Sequence, residues 1–135
     1  MKLTIIIEKS EGELWGRIEN VPDYLPVTSG ATIEEIEQNL RALIDDYVEN
    51  EGSAYNEWKS VKSSDVQFDH VYDLSAFFEV FDDVKVVGIA RRAGINPSLV
   101  RHYVAGTKYP SPQQAKRLEM AIHELGDKLR EVVLA

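Results

Sequence analysis

Two runs of residues at helical spacing, Val84 to Ala93 and Ser98 to Val104, are separated by only Gly94-Ile95-Asn96-Pro97, and this junction constrains the fold more tightly than any other stretch. Glycine best tolerates the left-handed conformation just past a helix end, so Gly94 predicts a stop. Asn96 can cap the next helix, and Pro97 suits its first position, where no N–H is needed. The second helix then continues to Gly106. Ala90, Gly94, Ile95, Val100 and Tyr103 fall where two crossed helices need a small contact, a turn glycine and three buried apolar groups.

Charge separates this part of the chain from the rest. The net charge is −8, which alone argues against binding a polyanion. The average hides a split: residues 1–73 hold 6 Lys+Arg and 16 Asp+Glu, whereas residues 74–135 hold 9 and 7. Between Val84 and Leu118 the chain carries Lys85, Arg91, Arg92, Arg101, Lys108, Lys116 and Arg117 without one acidic residue. Such a local basic field is what a phosphate backbone requires. The two halves therefore meet different partners.

The first half has the pattern of strands around one helix. Leu3 to Glu8 and Glu13 to Glu19 are strand-like runs joined by the turn-prone Lys9-Ser10-Glu11-Gly12, which predicts an antiparallel hairpin. The run Leu3 to Ile7 is too short for a signal peptide or a membrane span and is expected to be a buried strand. Asn20, Pro22, Asp23 and Pro26 break the following segment before a short strand at Val27 to Ser29. Thr32-Ile33-Glu34-Glu35 then forms a capping box that opens a helix to about Asn50, stopped by Gly52. Ile33, Ile36, Leu40, Leu43, Ile44, Tyr47 and Val48 line its apolar face, and Glu34, Glu35, Glu37, Asp45, Asp46 and Glu49 are expected on a solvated one. Residues 53–65 form an irregular connection anchored on the sheet by Trp58 and Val61, and Val66 to Tyr72 is the last strand.

From Asp73, a candidate N-cap, the pattern turns helical, with Leu74, Phe77, Phe78 and Phe81 as an apolar stripe. The final helix opens at Ser111-Pro112-Gln113-Gln114, and Leu118, Ile122, Leu125, Leu129 and Val132 repeat in steps of four and three. Its first part closes the core of the second half. Its second part forms a seam for another helix, either in a dimer or against the chain's own N-terminal domain. The expected architecture is α+β: domain 1–73 with a small antiparallel sheet and one helix, and domain 74–135 all-helical.

The run Ile89 to Tyr103, with the loop Gly106-Thr107-Lys108-Tyr109-Pro110-Ser111-Pro112, resembles the helix-turn-helix of phage-repressor-like and Xre-type regulators. The resemblance implies operator DNA as a partner, with Asn96, Pro97, Ser98, Arg101 and His102 on the side or end of the recognition helix that reaches base edges. Arg101 is the leading candidate. It can grip guanine with two hydrogen bonds or hold a phosphate, and the sequence leaves both roles open. Lys85, Lys108 and Tyr109 are placed for phosphate contacts at the flanks, with Arg91 and Arg92 as weaker candidates.

The first half, with Gly12 and Gly16 in its hairpin, Val21-Pro22-Asp23-Tyr24-Leu25-Pro26, and Thr28 to Glu35 leading into an Asn39-Leu40 helix, is similar to the HicB antitoxin family and its partial ribonuclease-H-like fold. Where many relatives place a glycine and a cysteine after the proline, this chain has Val27 and Thr28. The resemblance implies a toxin-antitoxin pair: the first domain covers a small basic HicA-like toxin that cleaves messenger RNA, and the second represses the shared operon, most simply as a homodimer or higher oligomer. An acidic surface suits a basic partner. Tyr24, Leu25 and the sheet edge stand as candidates for that interface.

Two other readings remain. A ribonuclease would need clustered carboxylates holding a divalent metal, and Glu8, Glu19, Asp45 and Asp69 are available. Nothing in their spacing brings them together, and His70, His102 and His123 lack metal-ligand spacing, so no catalytic residue, metal or cofactor is expected. Alternatively, the chain is a stand-alone helix-turn-helix regulator whose first domain is an oligomerisation or ligand module. With no cysteine, the expected setting is a reducing cytoplasm.

Overall fold

In the computed structural model, which describes residues 1–21, 24–51 and 58–135, the alternation of Leu3, Ile5 and Ile7 with Lys2, Thr4 and Glu8 becomes strand β1, Lys2–Ser10. Glu11 and Gly12 both take positive φ, 53° and 79°, and turn the chain directly into β2, Glu13–Ile18. Two central residues with positive φ match the right-handed twist of a hairpin, and Ser10 pairs with Glu13 across the turn. The hairpin is therefore tighter than the expected four-residue turn. Strand β3, Val27–Gly30, pairs antiparallel with β2.

The expected antiparallel sheet is corrected to a mixed one. Helix α1, Ile33–Asn50, lies between β3 and β4, Gln67–Tyr72, and β4 pairs parallel with β1 in the order β3-β2-β1-β4. Two antiparallel steps make β3 run with β1, and a helical crossover returns the chain so that β4 starts from the same end. With five α-helices among the described residues, the protein is α+β.

Helix α1 begins as its sequence dictates. Thr32 Oγ1 accepts from the Glu35 amide at 3.1 Å, while the Glu35 carboxylate takes the amide of Ala31, one residue before the cap, at 3.0 Å. Ile36, Leu40 and Ile44 are buried together with Leu3, Ile5, Ile7, Leu14 and Ile18, each such side chain contributing about 1.5–3 kcal/mol. Gly16 is required by this packing, since a Cβ there would overlap Ile36 Cγ2. Trp58 is buried as expected, but its partners are aromatic rings: it meets Tyr47 of α1 and Tyr24 edge-on at 5.6 and 5.8 Å. The proposed breakers Pro22 and Asp23, the stop at Gly52 and the loop residues 53–57 lie outside the described residues.

The connection back to β4 is pinned by polar side chains of α1. Arg41 donates to the carbonyls of Ser63 and, at 2.9 Å, Val66, and its guanidinium lies 4.5 Å from the centre of the Phe68 ring. Asp45 accepts from the Ser63 hydroxyl at 2.7 Å and amide at 3.0 Å. These hydrogen bonds hold its carboxyl below the usual carboxylate range.

The chain divides into two units, Met1–Ala76 and Phe77–Ala135, within helix α2, Leu74–Val80. Asp73 caps α2 by accepting from the Ala76 amide at 2.7 Å. The second unit continues with α3, Val86–Ala93, α4, Pro97–Ala105, and α5, Pro112–Arg130. Helix α3 starts two residues later than its spacing suggests, with Lys85 at the cap, and Val132 lies beyond the end of α5. No helix among the described residues is long and apolar enough to cross a membrane.

Candidate nucleic-acid interface

The junction between α3 and α4 is built by backbone hydrogen bonds that only its sequence permits. Gly94 takes φ 69° and ψ 32°; its amide bonds the carbonyl of Arg91 at 3.1 Å, and the Ile95 amide bonds that of Ala90 at 3.0 Å. This paired closure satisfies the last carbonyls of α3 and leaves Ile95 buried beside the fully buried Ala90. Asn96 Oδ1 then accepts from the Ser98 amide at 2.8 Å, with Pro97 in the first turn of α4. Only Gly94, Ile95 and Asn96 separate the helices. Helix α3 packs on both α4 and α5, and Ile89, Val100, Tyr103, Leu118 and Ala121 are buried.

Burying Val100 and Tyr103 orients the rest of α4. Ser98, Arg101, His102 and Ala105 are exposed at positions i, i+3, i+4 and i+7, so they form one outward stripe. Of the residues expected at DNA, Ser98, Arg101 and His102 are therefore brought together. Asn96 is exposed, but its side-chain oxygen is engaged in the cap, and Pro97 is half-buried. Lys85 is exposed at the start of α3, and Lys108 and Tyr109 are exposed in the loop after α4, where Tyr109 keeps 85% of its surface.

The basic field divides into two groups. Arg117 donates to the carbonyls of Ala93 and Gly94 at 2.7 and 3.1 Å, so its guanidinium closes the C-terminus of α3. Arg92 pairs with Glu124 at 3.1 Å, and Lys116 with Glu119 at 2.9 Å. The Lys116 ammonium holds the Glu119 carboxyl below its usual range. Lys85, Arg91, Arg101 and Lys108 make no ion pair among the described residues.

Sequence reasoning missed two residues here. Ala105 completes the stripe on α4, and the i+7 spacing from Ser98 would have found it. Thr107 lies in the loop behind Gly106, whose φ is 78°, and its Oγ1 is 2.8 Å from His102 Nδ1 and 3.2 Å from the His102 carbonyl. The Thr107 amide bonds that same carbonyl at 3.0 Å. Thr107 thus fixes the His102 ring, a consequence of the turn at Gly106 that helical spacing alone does not announce.

In the first unit, the carboxylates weighed as a metal site are engaged separately. Arg17 lies 2.8 Å from Glu8 and 3.0 Å from Glu19, Lys2 lies 3.4 Å from Asp69, and Asp45 holds Ser63. No group of three or more His, Asp or Glu among the described residues could hold a metal ion. His70 Nε2 is 2.6 Å from Glu37 Oε1, so Glu37 is not merely solvated. Tyr24 stacks on Tyr47 with centroids 4.0 Å apart and donates to the Leu43 carbonyl at 3.0 Å, while Leu25 is 67% exposed. Desolvation, then the nearby Asp46, raises the Tyr24 pKa.

Comparison of the chain with protein-family models, with curated proteins and with solved structures gave no match.

Proposed function

We propose that Phe77–Ala135 is a helix-turn-helix DNA-binding domain of the phage-repressor kind and that the whole chain is a HicB-type antitoxin. The observation that carries the DNA reading is the exposed stripe Ser98, Arg101, His102 and Ala105 on the second of two helices joined by three residues, inside a segment with no acidic residue. On this reading α4 enters the major groove, Arg101 contacts base or phosphate, and Lys85, Arg91, Lys108 and Tyr109 hold flanking phosphates. The domain 77–135 carries little net positive charge, so two copies on two half-sites are needed for tight binding. Leu129 and Val132 are more than half exposed, and they supply apolar surface for that pairing.

The antitoxin reading rests on the resemblance of the first unit and on its charge. Sixteen acidic against six basic residues suit it to cover a small basic HicA-like toxin that cleaves messenger RNA in the cytoplasm, while the second unit represses the shared operon. No catalytic role is assigned to either unit.

One experiment tests both parts. The full chain is mixed with labelled DNA from upstream of its gene, with and without the small basic protein encoded beside it. Specific retardation by the chain, its loss in Arg101→Ala, and copurification of the neighbouring protein are the expected results. Retardation without any such partner would favour a stand-alone regulator, and absence of retardation would remove the DNA function.

A further inference from the structure

The sheet of Met1–Ala76 buries one face, with Leu3, Ile5, Ile7, Leu14, Gly16 and Ile18, and leaves the other open. Strand registers set Val71, Ile6, Arg17 and Val27 in one row across all four strands of that open face. Trp15 lies in the neighbouring row, paired with Glu8 on one side and Ser29 on the other. Val27 and Val71, on the two edge strands, are 55% and 53% exposed and Trp15 is 36% exposed, so this one face carries three exposed large apolar groups.

The charged residues that share this face are mostly acidic. Glu8, Glu13, Glu19 and Asp69 share it with two cations, Lys2 and Arg17. Both cations are engaged: Lys2 by Asp69 at 3.4 Å, and Arg17 by Glu8 and Glu19 at 2.8 and 3.0 Å. Four carboxylates against two cations leave the face net negative. A second copy of the same face would bring like charges together, which disfavours self-association there.

We propose that this open sheet face is the docking surface for a basic protein partner, with Val71, Ile6 and Val27 as apolar contacts spread across it and Trp15 as the main anchor. An arginine or lysine of the partner lies over the Trp15 ring, where Glu8 and Glu13 supply the countercharge. This rests on the antitoxin reading and adds the surface. It moves the interface away from Tyr24, whose ring and hydroxyl are engaged by Tyr47 and Leu43.

The test uses the full chain labelled with 5-fluorotryptophan and the small basic protein encoded beside it. The chain has two tryptophans, and Trp58 is only 1% exposed, so two fluorine resonances report the open face and the core separately. Binding is expected to move the Trp15 resonance and shield it from solvent while leaving that of Trp58 in place. In calorimetry, Trp15→Ala should weaken binding about thirtyfold, the loss expected of a central aromatic anchor. Val27→Lys with Val71→Lys should abolish binding while DNA retardation is kept. If the unaltered chain binds and neither the resonance nor the variants respond, the surface assignment is wrong and the antitoxin reading stands. If the unaltered chain does not bind, both fall. A drop in the mass of the chain alone on introducing Val27→Lys and Val71→Lys would show a second copy on this face and overturn the proposal.

Discussion

Gly94→Ala tests whether the junction between α3 and α4 depends on backbone conformation or on the arginine beside it. At φ 69° and ψ 32° an L-residue suffers a clash between its Cβ and the following carbonyl, costing about 1–2 kcal/mol. A Cβ at Gly94 would also lie 3.0 Å from Arg117 Nη2. That atom is the end of a flexible side chain, so it can retreat, but in doing so it loosens its hydrogen bonds to the Ala93 and Gly94 carbonyls. Hydrogen bonds to a charged group contribute about 1.5–3 kcal/mol and less where they are exposed, as here, so loosening these two is comparable in size to the backbone strain. Gly106 provides the control: its φ is 78°, and a Cβ there meets nothing within 4 Å. Gly106→Ala should therefore show strain alone, and Gly94→Ala strain plus a second loss. For a domain of this size each kcal/mol lowers the melting midpoint by roughly 4–8 °C. Tryptophan fluorescence follows the first unit, which contains both Trp15 and Trp58, whereas helical ellipticity reports α1 together with the helices of the second unit, so a loss of ellipticity without a fluorescence change marks the second unit. Placing Arg117→Ala beneath both variants should make their losses equal. An undiminished gap in that background would refute the role given to Arg117, and a Gly94→Ala chain with an unchanged midpoint would refute the strain argument itself.

Glu11, at φ 53°, is a non-glycine residue in a left-handed turn position that asparagine tolerates better; Glu11→Asn should raise stability by about 0.5–1 kcal/mol, read as a higher urea midpoint by fluorescence. Asp45 has a folded pKa below its ordinary value of 3.8, so its contribution is present above that value and is lost as pH falls through the lowered one. Asp45→Asn should accordingly melt below the unaltered chain at pH 6, and the two curves should converge as the pH is taken below 3.8; a gap independent of pH would mean that the Ser63 contacts do not depend on charge.

The elements that could be read from the sequence are those closed by local chemistry. Thr32, Asn96 and Ser111 each accept the backbone hydrogen bond expected of a helix cap, and Gly94 and Gly106 each take the left-handed conformation that ends a helix. What could not be read depends on partners distant in the chain. The direction of β4 follows from the crossover through α1, and no residue within Gln67–Tyr72 encodes it. Arg117 counted as one more cation in a basic field until its reach across to Ala93 was known. Glu37 and Asp45 look like part of a solvated acidic face because periodicity identifies a side chain's direction and not the His70 or Ser63 brought up to meet it.

The two units spend their cations differently, and this connects the local chemistry to the partners each can take. In the acid-free segment Val84 to Leu118 of the second unit, Arg92, Lys116 and Arg117 are held by carboxylates or carbonyls, which leaves Lys85, Arg91, Arg101 and Lys108 of that segment for an external anion. In the first unit Lys2 and Arg17 are paired with carboxylates and Arg41 with carbonyls, and six basic against sixteen acidic residues leave the unit strongly negative. A basic protein bound to the first unit would neutralise the charge that repels DNA from the same chain. If, as proposed, the second unit binds DNA and a basic protein binds the first, the two events are expected to be coupled through electrostatics without a change of shape, and the coupling should weaken as added salt screens it. Retardation measured at rising partner concentration, at low and high ionic strength, separates this field effect from a conformational one, because only the former fades with salt.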